Sequence, residues 1–192
     1  MTTKTTPRRR ITDPAAAAGI DAACRQLRLP TIRSRAAEFA AAAEREHATY
    51  AGFLAELLLA ECDDREQRRK ERRVRAAGFP RPKRIDDFDH EANPNVNPAT
   101  LATLASGAWI AAGSPLCLIG DPGTGKSHLL IGLGTAAAEA GYRVRYVLAS
   151  RLVNELAEAA NDKQLTRTIA RYGRLDLLCL DLCRSRGYAD SG

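Results

Sequence analysis

Eight consecutive residues, Gly-Asp-Pro-Gly-Thr-Gly-Lys-Ser at 120–127, meet the spacing G-x-x-x-x-G-K-[ST] at every position. The chemistry of such a run is the holding of phosphate. Gly120, Gly123 and Gly125 let the backbone curl so that several N–H groups turn inward toward phosphate oxygens. Pro122 stiffens the turn, and Asp121 is a turn residue that the motif does not require. Lys126 places an ammonium on the β and γ phosphates of a nucleoside triphosphate, and Ser127 offers a hydroxyl to Mg2+. A helix starting near Lys126 adds the positive end of its dipole. Asp121, Pro122, Thr124 and His128 complete the stretch expected to line the nucleotide.

A second stretch with chemical potential is "LDLLCLD" at 175–181. Leu177, Leu178, Cys179 and Leu180 form a short apolar run that delivers one carboxylate, Asp181, as a buried strand would. After a phosphate loop, that carboxylate is the natural second protein group on the Mg2+ side of the site. Asp176 opens the same run too early to reach the cation. In many nucleotide hydrolases the residue after the strand aspartate is acidic and orients the attacking water. Here it is Leu182, which accepts no hydrogen bond.

These groups need elements to hold them. The apolar run "PLCLI" at 115–119 is expected as the strand entering the loop, and "SHLLIGLGTAAAEAG" from 127 as the helix leaving it. "YRVRYV" at 142–147 reads as a strand, "SRLVNELAEAA" from 150 as a helix, and 163–172 as another helix before the Asp181 strand. Apolar strands alternating with helices imply a parallel sheet covered on both faces, hence an α/β fold. Upstream, Asn97 followed by Pro98 reads as a helix cap and first position, the helix running to about 112 with Gly113 ending it. Trp109 within it is expected in the core.

The N-terminal half reads differently. Residues 1–20 are expected as a disordered basic tail and 21–79 as a helical domain. Phe39, Ala43, His47, Tyr50, Phe53, Leu54 and Leu57 recur at three- and four-residue steps, which predicts one helix over about 35–61. His47 on that stripe has no second ligand nearby and reads as a packed or half-exposed side chain. A further helix is expected to stop near Gly78, with Pro80 beyond it. The Pro-, Asn- and Asp-rich stretch 80–98 reads as a linker, leaving 99–192 as the phosphate-loop domain.

Charge follows the same division. Of 29 Lys and Arg and 23 Asp and Glu in the 192 residues, positions 1–89 hold 19 and 14, so the basic excess is N-terminal. Between Asp64 and Arg84 ten Lys and Arg face three acids, more than pairing along a helix can balance. Arg65, Arg68, Arg69, Lys70, Arg72, Arg73 and Arg75 are the candidates for DNA contact, arginine forks being suited to phosphate oxygens. With no aromatics interleaved to stack bases, the contact expected is with the backbone and tolerant of sequence. The five cysteines form no CxxC pair and read as reduced thiols. No apolar run reaches the ~20 residues of a membrane helix and no apolar signal-peptide region follows the basic start, so a cytoplasmic protein without membrane contact is expected.

Taken together, "LRLPTIRSRAAEF", "AECDDREQRRKERRVRAAGFPRPKRIDDFD", "LIGDPGTGKSHLL" and "RYGRLDLLCLD" resemble the IstB-type ATPases, helper proteins of insertion-sequence transposition related to the DnaC helicase loaders. The resemblance covers roughly 25–181. The phosphate loop is shared by many ATPases, whereas the "DREQRRKERR…FP…IDDFD" run is far more specific. The resemblance implies an AAA+ type of P-loop NTPase sheet with an N-terminal all-α domain, ATP and Mg2+ as cofactors, assembly as a homo-oligomer on DNA, and a transposase as partner. It also implies an Asp-Glu pair where this chain has Asp181-Leu182, and tens of further residues supplying a strand between the loop strand and the Asp181 strand. The expectation is therefore an incomplete, truncated copy, deficient in hydrolysis, the change after Asp181 reflecting a shifted reading frame or an interrupted gene. The competing readings are a DnaC-like loader of a replicative helicase and a non-catalytic remnant that binds DNA or a partner.

Overall fold

A computed structural model describes residues 12–182. The expectations placed on 1–11, and on the residues after Leu182, lie outside that range. Packing divides the chain into two units, with the division between Arg68 and Arg69.

The first unit is helical. Helix α1 (Asp13–Leu27) starts inside the stretch expected as a disordered tail. The reason is local: Asp13 sits in the first turn, Pro14 is pre-set for it, and Ala15 to Ala18 are the strongest helix formers. Helix α2 (Pro30–Arg45) and helix α3 (Tyr50–Ala77) replace the single helix expected over 35–61. The chain breaks at His47, which adopts a left-handed φ of 53° and so lies in a turn rather than on a helical stripe. Thr49 then caps α3, its Oγ1 accepting the Gly52 N–H at 3.1 Å. Cys24, Ile32 and Leu57 form the core, with Phe39 and Phe53 packed on it.

One carboxylate fastens this unit. Glu61, 3% exposed, accepts the backbone N–H groups of Thr31 (2.8 Å) and Ile32 (3.1 Å) through Oε2. These are donors of the first turn of α2, which have no partner within the helix. Pro30, at the first position of α2, brings no N–H that would need one. Negative charge at a helix N-terminus is favourable as well. Thr31 donates its hydroxyl to Asp64 at 2.9 Å, and Arg65 donates to the Arg28 carbonyl at 2.9 Å.

The second unit begins inside α3, not at the boundary expected near 79. Val74, Ala77 and Phe79 pack with Ala137, Ala138, Val144 and Cys179, so the end of α3 belongs to this core. Gly78, with φ of 73°, ends the helix in the left-handed conformation expected of a glycine there. Next come α4 (Pro98–Ala105), α5 (Ala108–Ala111), α6 (Lys126–Ala140), β1 (Val144–Leu148), α7 (Ala149–Asn161), α8 (Leu165–Tyr172) and β2 (Leu177–Asp181). The Asn97 side chain caps α4 by accepting from Ala99 N and Thr100 N. The helix expected to continue to 112 breaks at Gly107 into α4 and α5. Trp109 is half-buried and donates its indole N–H to the Leu104 carbonyl at 2.8 Å.

The two strands run parallel, Val144 opposite Leu177 and Leu148 opposite Asp181. Helix α6 packs on both strands and α7 on β1, so this is a small, incomplete α/β sheet. Residues 115–119, expected as the strand entering the loop, form no strand among the described residues. A strand exists through its hydrogen-bonded neighbour, and the described residues supply none here. Pro115 to Leu118 instead face Leu177 to Asp181 across a cavity of about 550 Å3.

The expected linker is corrected too. Residues 80–98 lie as a strap on α6. Phe88 is 7% exposed and clusters with Leu101 and Leu129, with Ile85 and Val96 packed alongside. Burying a side chain like Phe88 stabilises by about 2–3 kcal/mol. Ile85 and Phe79 occupy the spaces left by Gly132 and Gly134 of α6, where an added Cβ would come within 2.9 Å of either side chain.

Candidate nucleotide-binding site

The 120–127 loop opens α6, and its backbone follows from its glycines. Gly125, the residue before the helix, has φ of 80°, and a Cβ there would lie 2.7 Å from the Phe88 ring. Both facts demand glycine at this position. Thr124 folds over the turn: its N–H and hydroxyl both donate to the Asp121 carbonyl, at 3.4 and 2.8 Å. Lys126 Nζ donates to the same carbonyl at 2.5 Å and lies 3.4 Å from Thr124 Oγ1.

The distribution of backbone donors marks the site. Leu129 N–H makes the first helical bond, to the Gly125 carbonyl. Among the described residues the N–H groups of Gly123, Gly125, Lys126, Ser127 and His128 have no hydrogen-bond partner. A helix N-terminus with a run of unpaired N–H groups and a lysine beside it is built to take an anion. The donor set fits phosphate oxygens, which is the structural test of the expected nucleotide.

Asp181 is 8% exposed at the end of β2. It lines the same cavity as Lys126 and Ser127. Tyr146 donates its hydroxyl to Asp181 Oδ2 at 2.9 Å. This contact was not legible in the sequence, because it depends on the parallel register that sets Tyr146 opposite Cys179, diagonal to Asp181. Among the described residues no three His, Cys, Asp or Glu side chains gather into a metal-holding group. A magnesium ion at Ser127 and Asp181 would therefore take its remaining oxygens from the nucleotide and from water. Leu182 follows directly, 87% exposed.

Other titratable groups near the site have structural duties. Asp176 accepts the Arg143 guanidinium (2.7 and 3.1 Å) and the Arg143 backbone N–H (2.7 Å). The guanidinium first, and then the backbone N–H, hold its pKa down at about 2. It ties the starts of the two strands together and takes no part in the loop. Burial pushes the Cys179 thiol up to about 12, so it is a neutral core group. His128, expected among the nucleotide-lining residues, turns its Nε2 to the Arg84 carbonyl at 2.8 Å and its ring edge-on to Phe88. Its side chain serves the strap, and only its backbone N–H faces the anion site.

The candidate DNA contacts separate likewise. In the first unit, Arg65 is committed to the Arg28 carbonyl and Glu61, and Arg68 to Thr31 Oγ1 and Asp64. In the second, Arg73 lies beside Gly141. Arg69, Lys70, Arg72 and Arg75 make no ion pair or side-chain hydrogen bond among the described residues.

Comparison with known proteins gives the family. The sequence model of one protein family, described as IstB-like ATP binding protein, matches residues 22–190. The match runs past Asp181, where the likeness was expected to stop. A protein of Sinorhizobium fredii, named for an insertion sequence and for ATP binding, is 39% identical over 156 residues, covering 81% of this chain and 52% of its own length. Another, named for insertion sequence IS5376 of Geobacillus stearothermophilus, is 30% identical over 158 residues, covering 82% of this chain and 63% of its own. A third, named for IS21 of Pseudomonas aeruginosa, is 32% identical over 139 residues and covers 72% and 52%. The chain thus spans about half to two thirds of the length of these curated relatives.

Proposed function

The chain belongs to the family of IstB-like ATP-binding proteins, and on that premise we propose that it binds ATP with Mg2+ at residues 120–127 as a helper in the transposition of an insertion sequence. The observation that carries the proposal is the set of N–H groups left without a partner among the described residues, those of Gly123 and of Gly125 to His128, beside Lys126. In this reading Lys126 leaves the Asp121 carbonyl for the phosphates, while Ser127 and Asp181 hold the cation. The transposase and the homo-oligomer come from the family, and the names of the relatives favour an insertion sequence over a helicase loader.

Hydrolysis is the weak step of this proposal. The residue after Asp181 is Leu182, an exposed side chain with no proton acceptor. An enzyme without a positioned base commonly loses about 10²–10⁴-fold in rate. The test is steady-state ATP turnover of the purified chain with duplex DNA and Mg2+. Turnover is expected to be negligible in the parent and at least about tenfold higher in Leu182→Glu. Rapid turnover by the parent, lost in Lys126→Ala, contradicts the deficiency while supporting the loop.

DNA contact is proposed for Arg69, Lys70, Arg72 and Arg75. Replacing all four by alanine is expected to weaken duplex binding and to lower the slope of log K against log salt by up to ~0.9 for each phosphate contact removed. An unchanged slope in a fluorescence-anisotropy salt series assigns these side chains to solvent alone.

A further inference from the structure

Thr124 is bonded from three directions: its N–H and hydroxyl go to the Asp121 carbonyl, and its own carbonyl accepts the Asn93 side-chain amide, Nδ2 to O, at 2.8 Å. A carbonyl only accepts, so the amide nitrogen of Asn93 must face it. Asn93 lies outside the phosphate-binding motif, 31 positions upstream in the strap. Its own place is fixed by packing. The Asn93 carbonyl accepts the Val96 N–H, Val96 packs in the cluster of Phe88, Leu101 and Leu129, and Ala92 N–H donates to Asp89 Oδ1 to close the preceding turn.

The consequence follows from peptide geometry. A trans peptide unit is planar, and its C=O and the next N–H point in opposite directions. Holding the Thr124 carbonyl toward the strap therefore turns the Gly125 N–H away from it. That N–H has no partner among the described residues. The Phe88 ring closes the other degree of freedom by packing on the Gly125 Cα, at the place where a Cβ would stand.

We propose that Asn93 is a positioning residue for the phosphate loop: its bond to the Thr124 carbonyl fixes the Gly125 N–H in the direction of the bound phosphates, before nucleotide arrives. The inference rests on the nucleotide site proposed above. Pre-set donors avoid the ordering that a loose loop would undergo on binding, so losing the tie lowers affinity without touching the ligand.

The test uses the full chain, calorimetric titration with ATP and with inorganic tripolyphosphate, and thermal unfolding without ligand. Asn93→Ala is expected to weaken both ligands about tenfold, the share of one hydrogen bond, with the ligand-free unfolding midpoint within about 2 °C of the parent. Asn93→Asp keeps the shape but has no donor at neutral pH, and should weaken both ligands at least as much. Asn93→Gln retains the donor and should recover part of the loss. Parent-like affinity in Asn93→Ala and Asn93→Asp, with binding lost in Lys126→Ala, overturns the proposal and leaves the loop assignment standing. Loss of affinity only in step with a lowered ligand-free midpoint also overturns it, since the role is then structural. Parent-like affinity in Lys126→Ala as well removes the nucleotide site and the proposal with it.

Discussion

Two helix N-termini in this chain solve the same electrostatic problem in opposite ways. At α2 the first-turn N–H groups of Thr31 and Ile32 are closed by the Glu61 carboxylate of the same unit, 3% exposed. At α6 the N–H groups of Gly125, Lys126, Ser127 and His128 have no such partner among the described residues, and Lys126 adds a positive charge beside them. Both ends favour an anion. One receives it from the protein and is a joint between helices. The other, in the proposed reading, is left for a ligand. A helix start becomes a binding site when the fold withholds the acid that would have satisfied it.

The contrast can be broken most strongly at Glu61. Glu61→Ala leaves two buried N–H groups unpaired, at about 1–3 kcal/mol each, and is expected to lower stability by about 2–4 kcal/mol in denaturant unfolding. Nucleotide affinity should hold, because the hydrogen bonds of Glu61 go to α2 within the first unit, whereas the loop belongs to the second. Glu61→Gln keeps an acceptor and should lose only about 1 kcal/mol. Equal losses in the two variants would show that charge, not hydrogen bonding, closes α2.

Another carboxylate on a backbone N–H, that of Asp176, gives a smaller, pH-dependent version. Asp176 has its pKa held at about 2 by the Arg143 guanidinium and N–H, below the ordinary 3.8. A lowered folded-state pKa means that its contribution is complete above about 4 and is lost as pH falls toward 2. Acid unfolding of Asp176→Asn should therefore lack the part of the parent's pH dependence that falls between about pH 4 and pH 2. Superimposable acid titrations would show that the pair contributes nothing, as exposed ion pairs often do.

The phosphate loop, the Asn97 cap and the Gly78 stop were legible because each depends on neighbours in sequence, and the Asp181 strand because its apolar run finds the parallel partner β1. The strap was not. Its Pro, Asn and Asp content reads locally as a linker, and what decides its course is Gly132 and Gly134, tens of residues away on α6. Two glycines inside a helix lower its stability by about 1 kcal/mol each relative to alanine. That signal in "LLIGLGTAAA" points to something packed against them, here Ile85 and Phe79. The break between α2 and α3 was hidden by an apolar stripe that ran through it, although Thr49 three residues before Gly52 marks a cap. The strand at 115–119 failed for another reason: apolar residues permit a strand, but only a hydrogen-bonded neighbour makes one. His128 shows that adjacency to a motif does not give a side chain the motif's role.

The central claim is that the open N-terminus of α6, with Lys126, is a nucleotide site. Calorimetric titration of the full chain with ATP, with and without Mg2+, beside Lys126→Ala, tests it most directly. The parent should bind saturably and more tightly with Mg2+, and Lys126→Ala roughly 100-fold more weakly, the loss of a charge-assisted contact of about 3 kcal/mol. The unfolding midpoint without ligand should stay close to that of the parent. No heat of binding in the folded parent, or equal affinity in Lys126→Ala, contradicts the account.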